Sequence, residues 1–127
     1  MAQQVAKTVL VVDDDDGVRE SVAELLELEG FEVRTARNGR EALEFLGSNP
    51  TPDLIVLDLM MPIMSGREFR DEQLRDGRLA GIPVVVVTAS GGGRADAQAM
   101  QAAAYFVKPV NFDRFLETLR AVVQHAP

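Results

Sequence analysis

The chain has no cysteine, a single histidine, and fewer basic than acidic side chains, 13 Lys and Arg against 20 Asp and Glu. Without cysteine, disulfides, thiolate catalysis and cysteine-based metal sites are excluded. The one histidine, His125, lies near the C-terminus and is not read as catalytic. A net charge of −7 argues against a nucleic-acid-binding surface and against adhesion to anionic membranes. Long hydrophobic runs are missing too. No apolar stretch approaches the roughly 18 residues a membrane span needs, and the N-terminal MAQQVAK lacks the apolar core of a signal peptide. A cytoplasmic location is the default expectation.

What is present fits one domain. A length of 127 residues is enough to bury a real core, and an apolar fraction of 46% is ordinary for a globular chain. There is no internal repeat, low-complexity tract or linker. SNPTP (48–52) and SGGGR (90–94) read as loops within the domain, the second as a mobile one.

Five apolar runs stand out: TVLVV (8–12), FEVRTA (31–36), DLIVL (53–57), IPVVVV (82–87) and YFV (105–107). DLIVL and IPVVVV are nearly continuous rather than alternating, as strands covered on both faces are. Helical spacing fills the gaps. Val18, Val22, Leu25 and Leu26 share one face, with Gly30 placed as a helix-ending glycine. Arg40 to Leu46 predicts a short second helix after the turn pair Asn38-Gly39. Ser65 to Glu68 fits a capping box that opens a third. Arg94 to Ala102, nearly all alanine, predicts a fourth and the loosest helix. The fifth carries Phe112, Phe115, Leu116, Leu119, Val122 and Val123 on one side, with Asn111 as its cap.

Strand and helix alternate five times, which predicts an α/β fold with a parallel sheet and right-handed crossovers. In such sheets the functional crevice lies beyond the carboxyl ends of the strands. There the chain places Asp13 and Asp14 after the first strand, Asp58 after the third, Thr88 after the fourth, and Lys108-Pro109 after the fifth. Nearby carboxylates disfavour one another's ionisation, so the aspartates of VLVVDDDDGVRE (9–20) are either a solvated turn or await a compensating positive charge. All-oxygen ligands suit a hard divalent ion, Mg²⁺ before Zn²⁺.

VLVVDDDD, DLIVLDLMMP, VVVVTAS and YFVKP resemble, in order and spacing, the four signature blocks of the response-regulator receiver domain of CheY-like type. The likeness runs from about Lys7 to Val123, and the receiver domain is expected over 7–124, with 1–6 and 125–127 as short tails. The resemblance implies a three-layer, doubly wound (βα)5 fold with sheet order 2-1-3-4-5. It implies that Asp58 is phosphorylated and that Asp14 binds Mg²⁺ directly, Asp13 binds it through water, and the Met60 backbone carbonyl completes the set. Thr88 then hydrogen-bonds the phosphoryl oxygen, Lys108 pairs with it, and a cis Lys108-Pro109 bond aims the lysine. Tyr105 is the aromatic that moves with Thr88 on activation, although a static packing role fits its residue type equally well.

The same resemblance implies a sensor histidine kinase or histidine phosphotransfer protein as phosphodonor. Output then goes by protein contact through the face of the fourth helix, fifth strand and fifth helix. The expected state is a monomer or a weak, phosphorylation-dependent dimer, with no direct contact to nucleic acid or membrane. If 127 residues is the natural length, no DNA-binding or enzymatic output domain follows.

Plainer readings apply to other residues. Asp15 and Asp16 are helix N-terminal charges rather than ligands. Met60, Met61 and Met64 are core or loop filler apart from the Met60 backbone, and SGGGR is not a phosphate loop. Met60 and Ser90 are expected to tune water access to the site. The family often has glycine where this chain has Gln101, and Ala103 and Ala104 replace commoner polar residues, so the output face departs from the usual pattern. A rival enzyme reading comes from Asp14-x-Asp16-Gly17, which mimics the nucleophile motif of haloacid-dehalogenase-type phosphatases. Against it, no late acidic metal motif appears, and DLIVLDLMMP would go unexplained. An interaction module that keeps the fold without being phosphorylated is the third possibility.

Overall fold

A computed structural model describes residues 6–89 and 93–125 of the chain. Ten elements alternate strictly: β1 (Thr8–Val12), α1 (Asp16–Leu28), β2 (Glu32–Ala36), α2 (Gly39–Ser48), β3 (Leu54–Leu57), α3 (Gly66–Arg75), β4 (Val84–Thr88), α4 (Gly93–Ala99), β5 (Ala104–Val107) and α5 (Phe112–His125). The five strands form one parallel sheet in the order β2-β1-β3-β4-β5, as the resemblance implied.

The continuous apolar strands are explained by two cores, one on each face of the sheet. Leu10, Val12, Ile55, Leu57, Val84 and Val86 pack against Ala42 and Leu46 of α2, Phe69 of α3, and Ala97 and Met100 at α4. Their strand neighbours Val9, Val11, Leu54, Val56, Val85 and Val87 face Leu26 of α1 and Phe115, Leu116, Leu119 and Val123 of α5. Each such side chain, withdrawn from water, stabilises the fold by roughly 1.5–3 kcal/mol. The edge strand β2 exposes Glu32, Arg34 and Thr35, while Val33 reaches one core and Ala36 the other.

Helix starts follow their caps. The Asp15 carboxylate accepts from the Val18 N–H at 3.0 Å and opens α1. Asn38 caps α2 through the Glu41 N–H at 2.9 Å, so the helix begins at Gly39 and runs on to Ser48, beyond the stretch predicted. Ser65 and Glu68 form the reciprocal capping box of α3. Asn111 accepts from the Arg114 N–H at 3.1 Å at the start of α5. The fourth strand begins two residues later than the apolar run, at Val84, because Pro83 has no N–H to add to the ladder.

The end of α4 differs most from expectation. The helix stops at Ala99 rather than Ala102, and Gln101 takes φ +56°. The Gln101 N–H bonds the Gln98 carbonyl at 3.1 Å, and the Ala102 N–H bonds the Ala97 carbonyl at 3.0 Å. This is a Schellman ending with glutamine where glycine is usual. Its compensation comes from α3. Arg70, 6% exposed, donates from Nε to the Met100 carbonyl (3.0 Å) and from Nη2 to the Gln101 carbonyl (3.4 Å). Its Nη1 reaches Gln73 Oε1 at 2.8 Å. The fully buried Gln73 in turn donates to the carbonyls of Leu79 (2.9 Å) and Ile82 (3.0 Å). Burial lowers the Arg70 pKa, yet a guanidinium stays charged at any physiological pH. A cation at the carbonyl end of a helix is electrostatically favoured.

No helix among the described residues is long and apolar enough to cross a membrane.

Candidate functional site

The carboxyl ends of β1, β3 and β5 bring the expected residues together. Beyond the last strand residues, the Asp13 N–H bonds the Ala36 carbonyl (3.1 Å), the Asp58 N–H bonds the Val12 carbonyl (3.0 Å), and the Lys108 N–H bonds the Thr88 carbonyl (2.9 Å). These bonds extend the sheet ladder into the site and fix where each side chain departs. Asp13 and Asp58 are buried and Asp14 is exposed, and one oxygen from each carboxylate lies within 4.8 Å of the other two. Lys108 Nζ donates to Asp13 Oδ2 at 2.7 Å and to Asp58 Oδ2 at 3.3 Å. The Lys108–Pro109 peptide bond is cis.

Two buried acids, Asp13 and Asp58, share a single ammonium. Burial pushes the Asp58 carboxyl above its ordinary value; the Met60 N–H bond (3.2 Å) pulls it down, the Asp13 charge pushes it up and Lys108 pulls it down, and the net shift is upward. For Lys108 burial acts downward, but the bond to Asp13 and the charges of both aspartates outweigh it, and the lysine lies above its ordinary value. This donor set fits a hard divalent cation. It is all oxygen, it carries excess negative charge, and Asp14 keeps one side open to water.

Thr88 is fully buried and Tyr105 half-buried. The backbone of Gly93 lies close to both. A Cβ at Gly93 would lie 2.7 Å from Thr88 Cγ2 and 3.4 Å from Tyr105 Cε1. Gly66 does the same for Asp58: a Cβ there would stand 2.4 Å from the Asp58 carbonyl oxygen. Its absence lets α3 begin against the β3 exit, where the Gly66 N–H bonds the Leu59 carbonyl at 3.0 Å.

Several of these features escaped the sequence reading. Arg19 is buried and ties Asp16 (2.6 Å) to the Asp13 carbonyl (2.9 Å), a role hinted at only by its i+3 spacing from Asp16. Asp15 and Asp16 stand outside the carboxylate cluster, as expected. Met61 and Met64 pack against the core, while the Met60 side chain is 69% exposed on the loop. Ser90 lies outside the described residues, as do the first residues of SGGGR.

The loop after Asp58 holds a further surprise. Ile63 has φ +71°, and the Met64 N–H bonds the Pro62 carbonyl at 2.7 Å, closing a γ-turn around it. A left-handed β-branched residue costs of order 1–3 kcal/mol. A mostly apolar cavity of about 520 Å³ is lined by Val18, Val22 and Leu25 of α1 and by Val110 and Phe112, and Asp13, Asp58 and Lys108 also line it.

Comparison with known proteins agrees with this geometry. The family model described as "Response regulator receiver domain" matches residues 9–120. The polar-differentiation response regulator DivK of Brucella anthropi is 34% identical over 94% of this chain and 98% of its own length. The phosphate regulon transcriptional regulatory protein PhoB of Pseudomonas aeruginosa is 35% identical over 94% of this chain but only 53% of its own. This chain thus spans about half the length of PhoB and of the MprA regulators it also matches. Among solved structures, response regulator TrrA of Thermotoga maritima in complex with Mg²⁺-BeF superposes with a TM-score of 0.81 at 37% identity, covering 91% of this chain and 98% of that one. Vibrio cholerae CheY4 gives 0.83 at 32%, covering 93% and 99%. The chain belongs to the response regulator receiver domain family, the phosphoacceptor domains of two-component signalling.

Proposed function

We propose that Asp58 is the phosphoacceptor of this receiver domain, within a unit running from residue 7 to 124. The observation that carries this is the pairing of Lys108 with both Asp13 and Asp58, two members of a cluster of three carboxylates within 4.8 Å of one another. The donor is a phosphohistidine on a sensor kinase or phosphotransfer protein. A lone pair on an Asp58 carboxylate oxygen forms the new O–P bond while the P–N bond to the donor histidine breaks, and its electron pair returns to the imidazole nitrogen. Asp13, Asp14, Asp58 and the Met60 backbone carbonyl would hold Mg²⁺, which supplies neutralisation of the transferring phosphoryl charge.

The chain's own groups do the remaining work. Lys108 keeps its proton and offers a fixed positive charge where the phosphoryl oxygens arrive. Thr88 donates its hydroxyl to one of them and is drawn towards the site. That movement, transmitted past the Gly93 backbone, lets Tyr105 turn inward and changes the α4–β5–α5 face that a protein partner reads. A cytoplasmic location follows from the donor class.

The haloacid-dehalogenase-type alternative finds less support. Its second motif position, Asp16, is engaged by Arg19 at 2.6 Å and lies outside the carboxylate cluster.

The test is labelling with acetyl phosphate and Mg²⁺, read by intact mass. One added phosphoryl group is expected, lost in Asp58→Asn. Labelling that survives in that variant and disappears in Asp14→Asn would reject the assignment in favour of the phosphatase.

A further inference from the structure

Two large apolar side chains stand exposed on the loop that follows Asp58: Met60 at 69% and Ile63 at 73%. Nothing within the fold rewards isoleucine at position 63. Its backbone is left-handed, which a β-branched side chain resists, and glycine or asparagine would relax it. Its side chain buries little against the protein, so the strain is not offset by packing. The turn around it is nonetheless firmly held, by the Met64 N–H to Pro62 carbonyl bond and by the Gly39 N–H to Met64 carbonyl bond at 3.2 Å. An apolar residue is thus presented outward by a built turn.

What covers it follows from where it stands. Asp58 is only 5% exposed, so any protein that delivers a phosphoryl group to it must settle on the rim of the crevice. The β3–α3 loop forms one bank of that rim. The other bank carries the exposed acids Asp14, Asp15 and Asp16. A partner seated across both banks meets an apolar knob beside a run of negative charge.

We propose that Ile63, beside Met60, is a docking knob for the phosphohistidine-bearing protein, received by an apolar seat bordered by basic side chains. This rests on Asp58 as the phosphoacceptor. Withdrawing one aliphatic side chain from such a contact slows transfer roughly tenfold or more. The basic border makes transfer fall with rising salt.

The experiment profiles the autophosphorylated histidine kinases of the host organism against the wild-type chain and takes the fastest donor forward. Ile63→Asn, Ile63→Gly and Ile63→Val are then compared for transfer from that donor and from acetyl phosphate with Mg²⁺, after circular dichroism has verified their folds. The expected result is slow transfer from the protein donor to the Asn and Gly variants, near wild-type transfer to Ile63→Val, and equal acetyl phosphate labelling in all. Equal protein-donor rates across the variants overturn the proposal. So does a loss that acetyl phosphate shares, because that places the effect in the site rather than in docking. Salt-independent transfer overturns the basic border. Failure of the wild-type chain to label at Asp58 with acetyl phosphate rejects the underlying function instead.

Discussion

Lys108 sits closer to Asp13, at 2.7 Å, than to Asp58, at 3.3 Å, so the residue proposed to be modified is the more loosely held of the two. Removing the lysine strands two buried carboxylates. Lys108→Ala is expected to keep the fold but lose about 1–3 kcal/mol in metal-free buffer, with part of the loss restored by Mg²⁺, measured by urea unfolding. It is also expected to weaken the coupling of phosphorylation to partner binding; identical phosphorylation-dependent affinities in both proteins would contradict this. Because the folded lysine lies above its ordinary 10.5, its stabilising contribution is complete below that pH and is lost only as the pH climbs through the raised value.

Asp58 behaves in the opposite sense. A carboxyl raised above 3.8 in the fold makes its own ionisation costly, a cost complete above the raised value and relieved as the pH falls through it. Asp58→Asn should therefore be more stable than wild type at neutral pH without Mg²⁺, and the gap should close on acidification. Adding Mg²⁺ should stabilise wild type more than the variant. Melting curves at neutral and acid pH, each with and without the ion, give all four values.

Gly93 and Gly66 offer a graded test of close approach. Gly93→Ala sets a methyl against Thr88 Cγ2 and is expected to cost about 1–3 kcal/mol. Thr88→Ser removes the obstructing methyl, so the double variant should recover part of the loss in a double-mutant cycle. Gly66→Ala meets the Asp58 carbonyl oxygen, a backbone atom no side-chain change can clear, and is expected to destabilise more than Gly93→Ala.

Arg70→Met removes the buried guanidinium and orphans Gln73 Oε1 with two carbonyls at the end of α4. A loss of about 1–3 kcal/mol is expected. Hydrogen exchange should accelerate first at the amides of α4 and of Gln101 and Ala102. Acceleration spread evenly over the chain would show that the guanidinium stabilises the domain without holding that helix in particular.

Much of this architecture was legible in the sequence, because its signals are local. Unbroken runs such as LIVL specify strands covered on both sides, and Ser65 and Asn111 announce helix starts within three residues of the N–H they accept. The aspartates, Thr88 and Lys108 were readable for the same reason: each ends a strand, and parallel strands end together. What was hidden depends on contacts between distant segments. Arg70 meets Gln101 across 31 positions and the Gly93 backbone lies close against Thr88, and no periodicity reports either. The missing glycine at Gln101 was visible as a departure, but its remedy lay in α3. The strain at Ile63 was invisible because the turn chemistry of isoleucine gives no warning of a positive φ.

The anchoring of α4 by Arg70 has a consequence for how this surface diversifies. Most short helices must encode their own stopping signal, which restricts the residues they can show to the outside. Here a neighbour, Arg70, steadies the helix ending from beneath, through carbonyls that every amino acid possesses. The outward side chains of α4 are thereby released from structural duty, so they can be exchanged while the scaffold below stays unaltered.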